Sequence, residues 1–183
     1  MFRFAAFLLM LALPASIGAL SLQTGGSYVI HSITLAADEP PSFQDGYILH
    51  AGVSRAVTSR LSAGTSLIYS RMHPAPYDTH MVLRGYSSAG VRAFLDLSAG
   101  SRRLGVTLFG SGLWGIYEHT PLLFFSIEAG TGLYFEFADL LPGSLSLRLA
   151  VNGIWTERRD IQQQAGIGAE LSLVRSAWGR SRE

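Results

Sequence analysis

Alternate positions between Leu122 and Phe137 separate into two chemically different sets. From Phe125 onward the odd positions are apolar or uncharged, whereas the even positions hold serine, glycine, tyrosine and the carboxylates Glu128 and Glu136. A two-residue period is typical of a β-strand with two different faces. Glycine shares its face with charge here, which fits a strand with lipid outside and a crowded polar lumen inside.

The same period predicts eight strands along the chain. They lie near residues 26–35, 46–57, 61–71, 80–97, 104–117, 122–137, 144–156 and 161–174. Most reach the ~9–11 residues that a tilted strand needs to cross a bilayer, whereas a typical soluble strand has about 5–6. Proline- or glycine-containing breaks and the short Thr58-Ser59-Arg60 connection separate them. The sequence therefore predicts an all-β fold, an eight-stranded antiparallel up-and-down transmembrane β-barrel.

The other strands also have one apolar face and one polar face. On the apolar face only Arg55 and Arg71, near strand ends, carry charge; in strand four this face includes Met81 and Leu83. The first strand is ambiguous, because neither of its faces is clean. The predicted lumen face contains His50, Arg84, Arg92, Asp96, Glu128, Glu136, Arg148 and Glu170.

The N-terminus has the pattern of a secretory signal. Arg3 precedes an apolar run that ends at Pro14, and small residues follow. A run of about ten residues is short of the ~20 that a spanning helix needs, so a cleaved signal is favoured over an anchor. We expect a signal peptide at 1–19, a barrel at 20–174 and a periplasmic tail at 175–183.

Aromatic residues give an independent indication of a membrane. With the mature N-terminus in the periplasm, five lipid-facing aromatics fall near the outer strand ends and two near the inner end. Aromatic girdles of this kind mark the two interfaces of membrane barrels. The outer set is Tyr47, Tyr69, Trp114, Phe125 and Trp155, and the inner set is Phe135 and Phe137.

Composition narrows the function further. The 183 residues are 48% hydrophobic and only 15% charged, with a formal net charge of +1 and no cysteine. Nucleic-acid binding by bulk charge, disulfides and thiolate metal sites are excluded.

Together the signal, the two-faced strands and the aromatic girdles resemble small outer-membrane barrels of the OmpX, OmpA-barrel and OmpW type. The resemblance covers Ser21 to Val174, with the strand–turn–strand segment Gly52–Gly64 as its local texture. It implies outer-membrane lipids and the barrel-assembly machinery as partners, in the outer membrane of a Gram-negative-type cell. No functional motif transfers with it. The final strand departs from the family by ending near Leu173-Val174 instead of at an aromatic residue.

Inward charges are the first candidate site, because buried charges need partners. The predicted hairpin register, centred near Arg158-Arg159, places Arg148 across from Glu170, with Glu136 as a diagonal candidate. These inward charges form either a gate of switching ion pairs or a structural plug. The plug is favoured because an eight-stranded barrel is just wide enough to be filled by side chains. The predicted network is Arg148, Glu170, Glu136, Arg92, Glu128, Asp96 and Arg84.

Five histidines, His31, His50, His73, His80 and His119, form the second candidate, all in the outer half or the outer loops. Asp78 and Glu118 share those loops, so a metal site or an outer-leaflet hydrolase is conceivable. No spacing matches a metal motif and no nucleophile stands out, so we expect neither a cofactor nor an enzyme.

The sequence thus favours a non-enzymatic outer-membrane barrel with a structural role or limited, porin-like passage of a small hydrophobic or polar solute. A soluble periplasmic barrel of lipocalin type is the alternative, and it would need an apolar interior and a charged exterior. An outer-leaflet barrel enzyme is the third candidate.

Overall fold

The computed structural model describes residues 20–34, 42–76, 82–99, 103–141, 145–158 and 161–177. Ten strands occupy most of these residues. They are β1 (Leu20–Thr34), β2 (Ser42–Ala56), β3 (Leu61–Met72), β4 (Ala75–Pro76), β5 (Val82–Leu83), β6 (Tyr86–Ala99), β7 (Leu104–Tyr117), β8 (Leu123–Leu141), β9 (Leu145–Arg158) and β10 (Ile161–Ala177).

Eight of these strands close into one barrel. Each pairs antiparallel with the next along the chain, in the order β1, β2, β3, β6, β7, β8, β9 and β10, and β10 pairs back onto β1. The remaining two, β4 and β5, form a small separate hairpin between β3 and β6. Closure leaves the barrel strands no unpaired edge. The predicted all-β, eight-stranded antiparallel up-and-down barrel is therefore confirmed.

The barrel has two different ends. One holds the start of β1, the end of β10 and the tight turn at Val57–Arg60, and we call it the terminal end. The Thr58 hydroxyl stabilises this turn by accepting the amides of Arg60 and Leu61 at 3.2 and 3.0 Å. The opposite end holds the β4–β5 hairpin, and we call it the excursion end.

Apolar side chains cover the outside of the barrel. Leu67 is 70% exposed, Ile167 68% and Trp114 66%. Among the described side chains, the outward face of the barrel strands carries charge only near strand ends, at Asp45, Arg55, Arg71, Glu157 and Arg175. The wall between the two ends is therefore uncharged and apolar.

The predicted fourth strand, 80–97, is wrong at its start. Arg84 and Gly85 are not part of a strand, and the barrel strand β6 begins only at Tyr86. Leu83, predicted on the lipid face, is 9% exposed and packs with Ile33 and Ala75. Met81 lies outside the described residues.

The first strand was ambiguous because its lumen face mixes polar and apolar residues. Ser27 and His31 point inward together with the buried Val29 and Ile33, while Tyr28 and Ile30 face outward. The strand also begins at Leu20, six residues before the predicted start.

The last strand likewise runs past its predicted end, to Ala177. The first three residues of the expected tail at 175–183 therefore belong to β10. Residues 1–19 and 178–183, with the expected signal peptide and the rest of the tail, lie outside the described residues.

Candidate functional site

Arg148 forms the main ionic cluster inside the barrel. Its Nη1 donates to Asp96 Oδ2 at 2.8 Å, and its Nη2 lies 3.6 Å from Glu136 Oε2. Its guanidinium also stacks 4.1 Å from the centre of the Tyr134 ring. Asp96 lies on β6 and Arg148 on β9, so this bond crosses the lumen between strands that are not neighbours.

Arg92 forms a second cluster. Its Nε donates to Ser111 Oγ at 3.2 Å, and its Nη2 lies 4.0 Å from Glu128 Oε2. Phe109 supplies a ring face 4.3 Å from the guanidinium carbon. The aromatic face partly offsets the loss of water around a buried cation.

A third cluster surrounds Glu170. His50 Nε2 lies 3.2 Å from Glu170 Oε1, and Asn152 Nδ2 donates to Glu170 Oε2 at 2.8 Å. Both carboxylate oxygens thus have a polar neighbour, which a buried carboxylate requires.

Arg158 occupies the lumen toward the excursion end. It is only 4% exposed and hydrogen-bonds the Tyr117 hydroxyl. Its guanidinium carbon lies 4.5 Å from the Tyr86 ring centre and 4.4 Å from that of Phe124. Aromatic faces on several strands therefore enclose this cation.

Apolar side chains fill the lumen between these groups. One buried cluster contains Val29, Ile48, Ile68, Met72, Tyr86, Phe94, Phe109, Leu113 and Ile154. Except for Phe94 and Phe109, these residues lie in the excursion half of their strands. An ion crossing the lumen would have to pass this apolar cluster as well as the ionic clusters.

Inward glycines receive the large side chains of neighbouring strands. A Cβ on Gly130 would lie 2.3 Å from the Phe109 ring, and one on Gly105 would lie 2.4 Å from the Tyr134 ring. The rings that support Arg92 and Arg148 therefore fit only because glycine stands beside them. This explains why glycine and charge share a face in the sequence.

Little free space remains among the charged groups. Arg92, Arg148, Asp96, Glu170 and His50 border a cavity of about 30 Å³. That volume holds about two water molecules.

The β4–β5 hairpin is fixed over the excursion end. The buried Gln44 side chain donates from Nε2 to the carbonyls of His73 and Arg84, at 2.7 and 3.1 Å. These two residues are the entry to the hairpin and the exit from it. The Glu118 backbone N–H donates a hydrogen bond to the Gly85 carbonyl at 2.9 Å, and the Glu118 carboxylate forms an ion pair with Arg71 at 2.8 Å.

The predicted Arg148–Glu170 pair does not form, because the β9–β10 register differs from the one expected. Arg148 lies across from Ser172, and Glu170 lies across from Ala150. Arg158 pairs with Ile161, and an irregularity between Ile161 and Gln164 shifts the register further. Glu136, expected to be diagonal to Arg148, is directly opposite it on β8.

Arg84 does not belong to the lumen network. It is exposed in the break before β6 and donates from Nη1 to Thr120 Oγ1 at 2.9 Å. The predicted strand ran through the break, so its alternation assigned Arg84 to the wrong environment.

The histidines are spread over different environments. His31 and His50 are buried in the lumen, His119 is exposed in a turn with a φ of 61°, and His80 and Asp78 lie outside the described residues. His73 Nδ1 lies 3.2 Å from Asp45 Oδ2. Within the described ranges no three His, Asp or Glu residues are close enough to hold a metal ion.

Aromatic side chains lie on the outer wall at two levels. The Tyr47 and Tyr69 ring centres are 6.4 Å apart, and those of Trp114 and Phe125 are 4.9 Å apart. Trp155, on β9, is also on the outer wall. Toward the terminal end, the Phe135 and Phe137 centres are 4.7 Å apart. Tyr28 and Phe43, exposed on the same wall near the excursion end, were not predicted.

Comparison with solved structures identifies the architecture. Neisserial surface protein A, NspA, superposes with a TM-score of 0.61 at 12% identity, over 86% of this chain and 97% of NspA. The chain has the fold of the small eight-stranded outer-membrane β-barrels. Ail, the attachment invasion locus protein of Yersinia pestis, gives a TM-score of 0.49 at 10% identity, over 86% of this chain and 98% of Ail.

Neither sequence comparison adds to this result. No protein-family profile matches the chain, and no curated protein matches it. In the described part of the chain no helix is long and apolar enough to cross a membrane.

The sequence placed His50 on the lumen face, but the predicted ion-pair network included neither His50 nor Arg158. Arg158 was placed at the hairpin turn, although it keeps the even-numbered lumen parity of Arg148 on the same strand. That parity was the available signal. The partner of His50 lies on β10, two strands from β2, and alternation along one strand does not identify contacts across a lumen.

Proposed function

We propose that the protein is an integral outer-membrane barrel with a closed lumen and a structural role in the cell envelope. One observation carries the proposal: the described wall is apolar outside, while ion pairs and packed side chains fill the inside. A soluble monomer is surrounded by water, so it rarely exposes an apolar patch larger than a few hundred Å². A barrel in lipid instead has an apolar outer surface and a polar interior.

The aromatic residues on β8 support this proposal. Phe125 and Phe135 are ten positions apart, and at ~3.3 Å per residue they are about 33 Å apart along the strand. A strand tilt of about 40° reduces this to about 25 Å across the membrane, the height of the apolar band in outer-membrane barrels. The outer wall therefore has the dimensions of a membrane-spanning surface.

Export completes the proposal. The N-terminal sequence supplies a cleavable signal, which leaves the terminal end in the periplasm and the excursion end outside. Outer-membrane lipids and the barrel-assembly machinery are the proposed partners, and no enzymatic activity is proposed. The small cavity argues for structural closure rather than solute passage. The soluble lipocalin alternative needs the opposite distribution of charge.

Reconstitution in planar bilayers tests the closed lumen. The purified barrel should fold, as shown by a gel mobility that changes on heating, and should give no steady conductance beside an open porin measured in parallel. Steady single-channel conductance from folded protein would contradict closure. Recovery of the mature chain only in the soluble periplasm would contradict the membrane location itself.

A further inference from the structure

Charged residues are distributed unequally between the two barrel ends. At the terminal end, Arg60, Arg103 and Arg175 are exposed and Arg55 is half-buried. We call these four residues the arginine rim. At the excursion end, the described charged side chains outside the lumen are of mixed sign: Arg71 and Arg84 with Asp45, Glu118 and Glu157.

The described carboxylates leave the arginine rim positive. Glu136, at the same end, points into the lumen and pairs with Arg148. The sequence places Asp139 further along β8. If Asp139 is counted as one negative charge against four arginines, the rim still has a net charge of about +3.

Two of the rim arginines flank β1 on the outer wall. Leu20 pairs with Arg55 on β2, and Leu22 pairs with Arg175 on β10. Two strand spacings of ~4.8 Å put the two backbones about 10 Å apart. The exposed Leu20 and Leu22 lie between the two cations. This part of the wall therefore offers an apolar surface for lipid chains and positive charge for headgroups.

Arg103 fixes the level of the rim relative to the aromatic belt. It directly precedes Leu104, which pairs with Phe135, and its carbonyl accepts the Glu136 amide at 2.6 Å. Arg103 therefore lies level with the terminal-end aromatics, between Phe135 and Phe137, where headgroups begin. Arginine stems lie along apolar surface while their guanidinium groups reach phosphates.

We propose that the arginine rim binds the phosphate groups of anionic phospholipids in the leaflet at the terminal end of the barrel. The inference rests on the proposed membrane function. Guanidinium groups form paired hydrogen bonds with phosphate oxygens, and the three exposed ones, on Arg60, Arg103 and Arg175, suit a layer of headgroups better than one soluble ligand. Among the described residues, the excursion end carries mixed charges and has no equivalent cluster of arginines.

The test compares the triple variant Arg60→Gln, Arg103→Gln, Arg175→Gln with a control at the other end, Arg71→Gln with Arg84→Gln. Each protein is folded in phosphatidylcholine, and retained phosphatidylglycerol is measured by native mass spectrometry and by the shift in unfolding midpoint on adding that lipid. Each arginine near an anionic surface contributes roughly fivefold in binding. The triple variant should lose about a hundredfold in affinity, and the control should keep the wild-type response.

The outcomes separate the two proposals. A wild-type chain that does not insert into phosphatidylcholine vesicles contradicts the membrane function. Insertion with equal phosphatidylglycerol responses in all variants overturns the rim, and so does a rim-dependent response to lipid A that exceeds the response to phosphatidylglycerol. If the triple variant does not fold, Arg60→Gln alone, in the turn, should still lose about fivefold, and no loss there overturns the rim.

Discussion

Arg148 on β9 bonds Asp96 on β6 across the lumen at 2.8 Å, between strands that share no ladder. The contact joins opposite walls of the barrel, and Glu136 adds a second carboxylate within 3.6 Å of the same guanidinium. Side-chain bonds therefore reinforce a shape that the backbone ladders already close. The lumen clusters are part of the structural core of this protein.

Replacing Arg148 with alanine should destabilise the barrel by about 3–5 kcal/mol, because it leaves the buried Asp96 and the half-buried Glu136 without their cation. Urea unfolding in lipid vesicles measures the change. Arg84→Ala is the matched control, since Arg84 is exposed, and it should alter stability by less than about 0.5 kcal/mol. Equal effects of the two changes would show that the cross-lumen cluster contributes little.

Two glycines on β7 provide a matched pair for the packing of the lumen. A Cβ at Gly105 would lie 2.4 Å from the Tyr134 ring and 2.5 Å from the Leu97 carbonyl, whereas at Gly110 the nearest atom is 3.9 Å away. Gly105→Ala should cost about 1–3 kcal/mol from overpacking. Gly110→Ala should be neutral or slightly stabilising. The same unfolding assay compares them, and a tolerated Gly105→Ala would contradict the fitted lumen.

Charge placed on the outer wall tests the position of the bilayer. Leu108 pairs with Thr131, midway between Phe125 and Phe135, whereas Leu104 pairs with Phe135 at the terminal-end belt. Leu108→Arg should cost about 2–4 kcal/mol and Leu104→Arg only about 0–1 kcal/mol, because the penalty depends on depth in the membrane. Folding titrations in vesicles give both values. Equal costs would mean that the belts do not mark the interfaces.

Gln44 should hold the β4–β5 hairpin in place. Gln44→Leu keeps the bulk but removes the donor to two carbonyls, so the local structure should lose about 1–3 kcal/mol. Hydrogen exchange at residues 73–85 should speed up while exchange in β8 and β9 stays unchanged. Tyr69→Phe, which loses only an exposed hydroxyl bond to Ser87, is the control. Unchanged exchange at 73–85 would show that other contacts hold the hairpin.

Strand-level features followed from the sequence because they depend on neighbours along one chain segment. Phe125 to Phe137 showed two faces by their period alone, and strand number followed from repeating that pattern. The predicted lumen position of Arg84 was wrong because the strand is interrupted at Arg84 and Gly85, although the two-residue period looked continuous there. The predicted Arg148–Glu170 pair was wrong because the β9–β10 register depends on where the hairpin begins to pair and on an irregularity after Ile161. Neither feature leaves a periodic signal in the sequence.

The sequence by itself determined an eight-stranded barrel with an apolar outside and a charged, glycine-rich inside. Alternation is a local property, fixed by the geometry of an extended backbone. Only the tertiary structure decided which charges meet: Arg148 with Asp96, His50 with Glu170, Arg158 with its aromatic ring faces. Those partners lie on strands that closure brings across a narrow lumen, and their distances depend on register, tilt and side-chain packing.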